Sequence, residues 1–114
     1  MALIPMEYEG GVQTGTLSTS GITQTNYTIS SPTYSIKDGV MIITATILTN
    51  TTQTGYKAVA NLPDCPNGNV WQSQYMYYPE DGGATIEIGV NTSNQLVARK
   101  GTNGKYARFQ LITV

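Results

Sequence analysis

A chain of 114 residues is long enough for one domain with a modest hydrophobic core. Only 11% of its residues are charged and the formal net charge is -1. That balance excludes the basic stripe a protein needs to neutralise nucleic-acid phosphates. The chain has no His, which removes Ser-His-Asp and Cys-His catalysis together with the commonest zinc ligand.

Solubility therefore rests on uncharged Thr, Ser, Asn, Gln and Gly, a composition that suits pleated backbone. Cys65 is the single cysteine, so no internal disulfide is available. It lies in the turn "NLPDCPNGN" with no Lys, Arg or His beside it, and reads as a small turn residue, not a reactive thiol. The opening "MALIPM" is short and lacks the basic stretch of a signal peptide. No apolar run approaches the ~20 residues of a membrane helix. The expectation is a soluble protein without a secretion signal, a membrane partner or a cofactor.

Taken in chain order, residues 7–33, "EYEGGVQTGTLSTSGITQTNYTISSPT", are rich in Gly, Ser and Thr, with apolar residues widely spaced. They predict an extended N-terminal arm over 1–33, with one strand near 22–29. From Tyr34 the period is two, and strands are predicted over 34–37, 40–49, 55–62, 70–78, 83–90, 95–100 and 105–113. Sharp turn signals separate them, among them Asp38-Gly39, "PEDGG", "NTSN" and "GTNG". No window carries a helical stripe. The fold class is all-β: an antiparallel, jelly-roll-like β-sandwich of about seven or eight strands, with its sandwich domain over 34–114.

A two-residue turn at Asp38-Gly39 sets Ile36 across from Met41 and Tyr34 across from Ile43. With Ala45 and Ile47, these residues form the predicted core face. Ala84, Ile86, Ile88 and Val90 are expected to point inward, with Thr85, Glu87 and Gly89 outward. Ala107, Phe109 and Leu111 share one face of the last strand. Val40, Ile42, Tyr106 and Ile112 then fall on outer faces that no helix covers. Such an exposed apolar patch points to a partner surface, most simply a second copy of the chain.

Little here suggests catalysis. Glu80 and Asp81 are neighbours in a turn, where their side chains diverge, and are read as solvated charges. The Gly-containing turns lack the helix that a phosphate loop requires, and Asp38, Asp64 and Asp81 do not match a calcium loop. The distinctive stretch is "VWQSQYMYYPED", residues 70–81, with the only Trp and three of the eight Tyr. Rings beside amides and carboxylates suit saccharides, whose C–H faces stack while their hydroxyls take directional hydrogen bonds. Trp71, Tyr75, Tyr77, Tyr78, Glu80 and Asp81 are the candidate ligand-binding residues. The same rings on a sandwich strand serve equally as core.

The run "YSIKDGVMIITATI", a strand ending in "NLP", the turn "DCPNGN", then "TIEIGVNTSNQLVA" and "YARFQLITV", resembles the head domains of bacteriophage tail-fibre and baseplate receptor-binding proteins and related small phage structural proteins. Leu62, Pro63 and Pro66 match a leucine-proline, turn, proline step. Ile86, Ile88 and Leu96 match a recurring hairpin, although "NTSNQ" lacks its usual Gly. The resemblance implies a non-enzymatic virion protein, trimeric, that binds a host cell-surface saccharide and contacts other virion proteins. A purely structural assembly component and an isolated carbohydrate-binding module are the alternatives.

Overall fold

The computed structural model describes residues 12–64, 76–77 and 86–113, the backbone alone for 76, 77 and 113. Its elements are β1 (Gln13–Thr16), β2 (Tyr27–Lys37), β3 (Val40–Thr49), β4 (Lys57–Asn61), β5 (Met76–Tyr77), β6 (Glu87–Val90), β7 (Gln95–Arg99) and β8 (Tyr106–Thr113). They form two antiparallel four-stranded sheets, ordered β1-β2-β3-β8 and β4-β7-β6-β5. The chain is an all-β sandwich. In the second sheet β5, β6 and β7 follow one another and β4 lies beside β7, a Greek-key order.

The β2–β3 hairpin forms as its residues dictate. Asp38 and Gly39 both sit at positive φ, 54° and 79°, the conformation that matches a tight turn to strand twist. Ile36 pairs with Met41 and Tyr34 with Ile43, so the core face begins in the expected register. Met41, Ile43, Ala45 and Ile47 are buried against Ala107, Phe109 and Leu111 of β8. Ile86, Ile88, Val90, Leu96 and Ala98 of the other sheet complete the cluster. Each fully buried Ile, Leu or Met contributes roughly 1.5–3 kcal/mol, and these side chains hold the two layers together.

Two expectations about the first third of the chain are corrected. The predicted strands at 22–29 and 34–37 are one continuous strand, β2. Its register to β3 slips between Ser30 and Thr33, with Ser31 at φ 52°. The extra residue switches the parity of the core face. Odd positions Tyr27 and Ile29 point inward before it, and even position Ile36 after it. Nor is residue 33 a joint between an arm and a domain. β1 pairs with β2, Leu17 is a core residue, and its N–H donates to the Pro32 carbonyl at 2.8 Å. Asn61 then donates from its backbone N–H to the Ser18 carbonyl at 2.7 Å, tying this segment to the second sheet. The predicted strand at 70–78 apart from Met76 and Tyr77, and residues 83–85 of the strand at 83–90 with Ala84 among them, lie outside the described residues.

One end of the sandwich is closed by hydrogen bonds between the segment after β3 and the β7–β8 turn. Thr52 Oγ1 donates to the Gly101 carbonyl at 2.6 Å and the Lys100 N–H to the Gln53 carbonyl at 2.7 Å. Gly104 donates to the Thr49 carbonyl at 2.7 Å. Gly101 is required by this closure: a Cβ there would run into Thr49 Oγ1 and lie 3.1 Å from Ile86 Cδ1. Thr49 is buried and has nowhere to swing. Gly101→Ala is expected to cost about 2–3 kcal/mol through overpacking. Gly55→Ala, where no atom stands within 4 Å, should change stability by less than about 0.5 kcal/mol. Urea unfolding of both variants checks the contrast.

Tyr27 is sealed beneath the same closure, at 2% exposure, and its hydroxyl makes no well-formed hydrogen bond among the described residues. Burial pushes its pKa up, and the backbone of Gln53 and Gly101 opposes this more weakly. The folded-state pKa is thus above the unfolded one. The stabilisation is complete below about pH 10 and is lost as pH rises through the folded pKa. In Tyr27→Phe the alkaline unfolding limb should move to higher pH. Neutral-pH stability should change by less than about 1 kcal/mol, because no well-formed hydrogen bond is broken. Circular dichroism against pH measures both.

Candidate functional site

Each sheet has one face in the core, so any binding surface is built on the outer faces or at the sandwich ends. On the β1-β2-β3-β8 sheet the cross-strand rows of the outer face can be read from the register. One row is Thr14, Ser35, Ile42 and Ile112; the next is Thr16, Thr33, Thr44 and Gln110. Ser30, Thr46 and Arg108 follow, and then Thr28, Leu48 and Tyr106. Hydroxyl groups fill the middle, with one charge, Arg108. Apolar groups stand at the two ends.

The four residues expected to form an interface divide into two kinds. Tyr106 and Ile112 are exposed, at 49% and 48%. Val40 and Ile42 are only half-buried, because their cross-strand neighbours shelter them: Lys37 stands beside Val40, and Ser35 and Ile112 flank Ile42. Part of the cover on the greasy start of β3 thus comes from within its own sheet.

The outer face of the other sheet holds the chief surprise. Glu87, expected to be a solvated surface charge, is only 3% exposed. It sits between Ile86 and Ile88 on the strand but points away from the core, and its register partner on β7 is Arg99. Arg99 donates from Nε to Glu87 Oε1. Tyr56 donates its hydroxyl to the same oxygen at 2.7 Å. The guanidinium carbon of Arg99 lies 4.3 Å from the centre of the Tyr56 ring, within cation–π range. The Glu87 hydrogen bond, ahead of charge attraction to Glu87 and Tyr56, pushes the Arg99 pKa up, so this cation keeps its proton throughout the usable pH range.

This trio is a polar site on a rigid strand pair. The Arg99 side chain remains 31% exposed while its acidic partner is buried. Its hydrogen bond to Glu87 leaves from Nε, and the Tyr56 hydroxyl lies within reach of the same guanidinium. On the far side of Glu87 the register partner is Tyr77 of β5. A single row therefore runs Tyr77, Glu87, Arg99 across three strands. Of the residues chosen from the sequence as ligand-binding, Tyr77 alone falls on a described strand, and it is placed by its backbone at this row. Trp71, Tyr75, Tyr78, Glu80 and Asp81 lie outside the described residues, as do Cys65 and Pro66.

Tyr56 and Arg99 were not anticipated. A usable signal was present, because Glu87 is the one acidic residue in the middle of an apolar strand, "TIEIGV". A carboxylate there needs a cation or donor on the next strand. A shallow cleft of about 140 Å³ also opens between the sheets, lined by Thr16, Ser18, Tyr34, Asn61, Leu62 and Pro63. Leu62 and Pro63 of the leucine-proline step form part of its wall. Among the described residues no cluster of His, Cys, Asp or Glu could hold a metal ion, and no helix is long and apolar enough to cross a membrane. No protein-family model, curated protein or solved structure matches the chain.

The Tyr56 hydroxyl bonds a part-buried carboxylate, and hydrogen bonds to charged groups are worth about 1.5–3 kcal/mol. Tyr56→Phe is expected to lower stability by about 1.5–2 kcal/mol, with the ring and its contact to Arg99 retained. Arg99→Ala should destabilise more, since it strands the carboxylate. Adding Glu87→Gln to Arg99→Ala should recover part of the loss, and a double-mutant cycle in urea reads this coupling.

Proposed function

We propose that the chain is a non-enzymatic binding module of a phage or prophage virion, which holds a cell-surface saccharide on the outer face of the β4-β7-β6-β5 sheet. The observation that carries this reading is the row Tyr77, Glu87, Arg99 with Tyr56 beside it. It brings the Tyr56 ring and a fixed hydrogen-bond donor, Arg99, to one rigid place, at a row where the backbone also sets Tyr77. Saccharide recognition uses that mixture: rings against C–H faces, and directional donors to hydroxyls. The resemblance to receptor-binding heads points the same way and supplies the virion setting.

A second reading, self-association, is favoured by the outer face of the first sheet. Ile112 and Tyr106 are exposed there, beside half-buried Ile42 and Leu48. Arg108 is the single charge in the rows that join them. A second copy would bury that face at small desolvation cost, because hydroxyls re-pair readily and few charges leave water. The proposed assembly is a homotrimer, as in the heads that the sequence resembles. The two readings use different faces and are compatible. Self-association alone describes a purely structural virion component.

One set of proteins tests both. On a glycan array, the unmodified chain is expected to bind at least one bacterial cell-surface saccharide, and Tyr77→Ala to lose that signal while still folded. Light scattering should give a multiple of 12.3 kDa, and Ile112→Asp should reduce it to the single-chain mass. Absence of any glycan signal leaves the structural role. A single-chain mass at micromolar concentration removes the oligomer, and hydrolysis of a polysaccharide by the pure chain refutes the non-enzymatic reading.

A further inference from the structure

We propose that Arg99 anchors a carboxylate of the ligand, so that the saccharide taken at this face is an acidic one of the uronic-acid type. This inference rests on the saccharide reading above and names its chemical class. The argument begins with the geometry of the guanidinium. Its Nε edge is committed to Glu87 Oε1 and its face to the Tyr56 ring. Beyond Glu87 and the Tyr56 hydroxyl, the guanidinium donates no hydrogen bond among the described residues. Two parallel N–H donors in a plane match the two oxygens of a carboxylate. The side chain is held on two sides before any ligand arrives, so little rotamer freedom remains to be lost on binding.

Charge agrees with this geometry. Lys100 follows Arg99 directly and is exposed, and among the described residues Glu87 is the one acidic group paired with Arg99. An anionic sugar is drawn to an exposed cation that a neutral one cannot use. Glu87 lies buried behind the guanidinium, on the edge away from the incoming ligand, where it fixes the fork without occupying it.

The test titrates the full chain with trigalacturonate, with its fully methyl-esterified form, with glucose 6-phosphate and with acetate, at low salt. The readout is the NMR signal of Arg99 Nε–H, with affinities from calorimetry. Trigalacturonate is expected to shift that signal and to bind at least about tenfold more tightly than the ester, a preference that shrinks at about 0.5 M NaCl. Arg99→Lys, which keeps the charge but not the fork, should lose most of the preference. Should that variant fail to fold, Lys100→Ala at the exposed neighbouring position should lose several-fold in affinity for the acid and flatten its salt dependence. Equal binding of acid and ester overturns the inference and leaves the saccharide reading standing. Binding of glucose 6-phosphate alone overturns it in favour of a phosphate site. A shift of the Arg99 signal with acetate but with no saccharide keeps the carboxylate anchor and overturns the saccharide reading. No response to any probe overturns both.

Discussion

The structure depends on side-chain parity. A two-layer sandwich has one core, and each strand must keep one of its two faces turned to it over its whole length. β3 meets this demand without interruption from Met41 to Ile47. β2 meets it only because one extra residue at Ser31 shifts the alternation halfway along. Without that bulge, either Tyr27 and Ile29 or Ile36 would face water, since a one-residue slip turns every later side chain over. The consequence is long-range. The first half of β2 carries Tyr27 to the closed end of the sandwich, where Thr49, Gly101 and Gln53 gather. Its second half pairs with β1, and the chain between the two packs Leu17 into the core.

The same alternation explains what could be read in advance and what could not. The hairpin at Asp38-Gly39, the core faces of β3 and β8 and the inward Ile86, Ile88 and Val90 follow from turn chemistry and a period of two. These features are local, so sequence displays them. The continuity of β2 is not local: the bulge interrupts the period and makes one strand look like two fragments at the end of a loose arm. β1 was hidden for another reason. "QTGT" has no apolar residue, and it is a strand because the edge of β2 offers it hydrogen bonds. Glu87 shows a third limit. Period two placed it correctly on the outer side of its strand, but outer does not mean wet. Its burial is decided by Tyr56 and Arg99, 31 and 12 residues away in sequence.

A buried carboxylate seldom improves stability, because its desolvation cancels much of what its partners return. Ile or Val at position 87 would suit a strand between Ile86 and Ile88 at least as well. What the ion pair does provide is position. Arg99 would otherwise wander over many rotamers on an exposed edge; tied at Nε and stacked on Tyr56, it presents the rest of its fork in one place. Such costs in stability are found where a surface has a task. The Thr-rich face of the other sheet carries no comparable device, only hydroxyls with apolar groups at both ends.

The two outer faces therefore differ in the kind of contact each can make. A nearly uncharged surface with Ile112 and Tyr106 at its ends gains by leaving water, and suits a broad, flat partner such as another sheet of the same kind. The corner of Arg99 and Lys100 cannot be buried in that way, because its cations would lose their hydration. On the proposed reading it serves a small group that brings the opposite charge, and the proposals of assembly on one sheet and ligand capture on the other rest on this contrast. Since the core lies between them, the proposed association through the first face would leave Arg99 on the second uncovered by it.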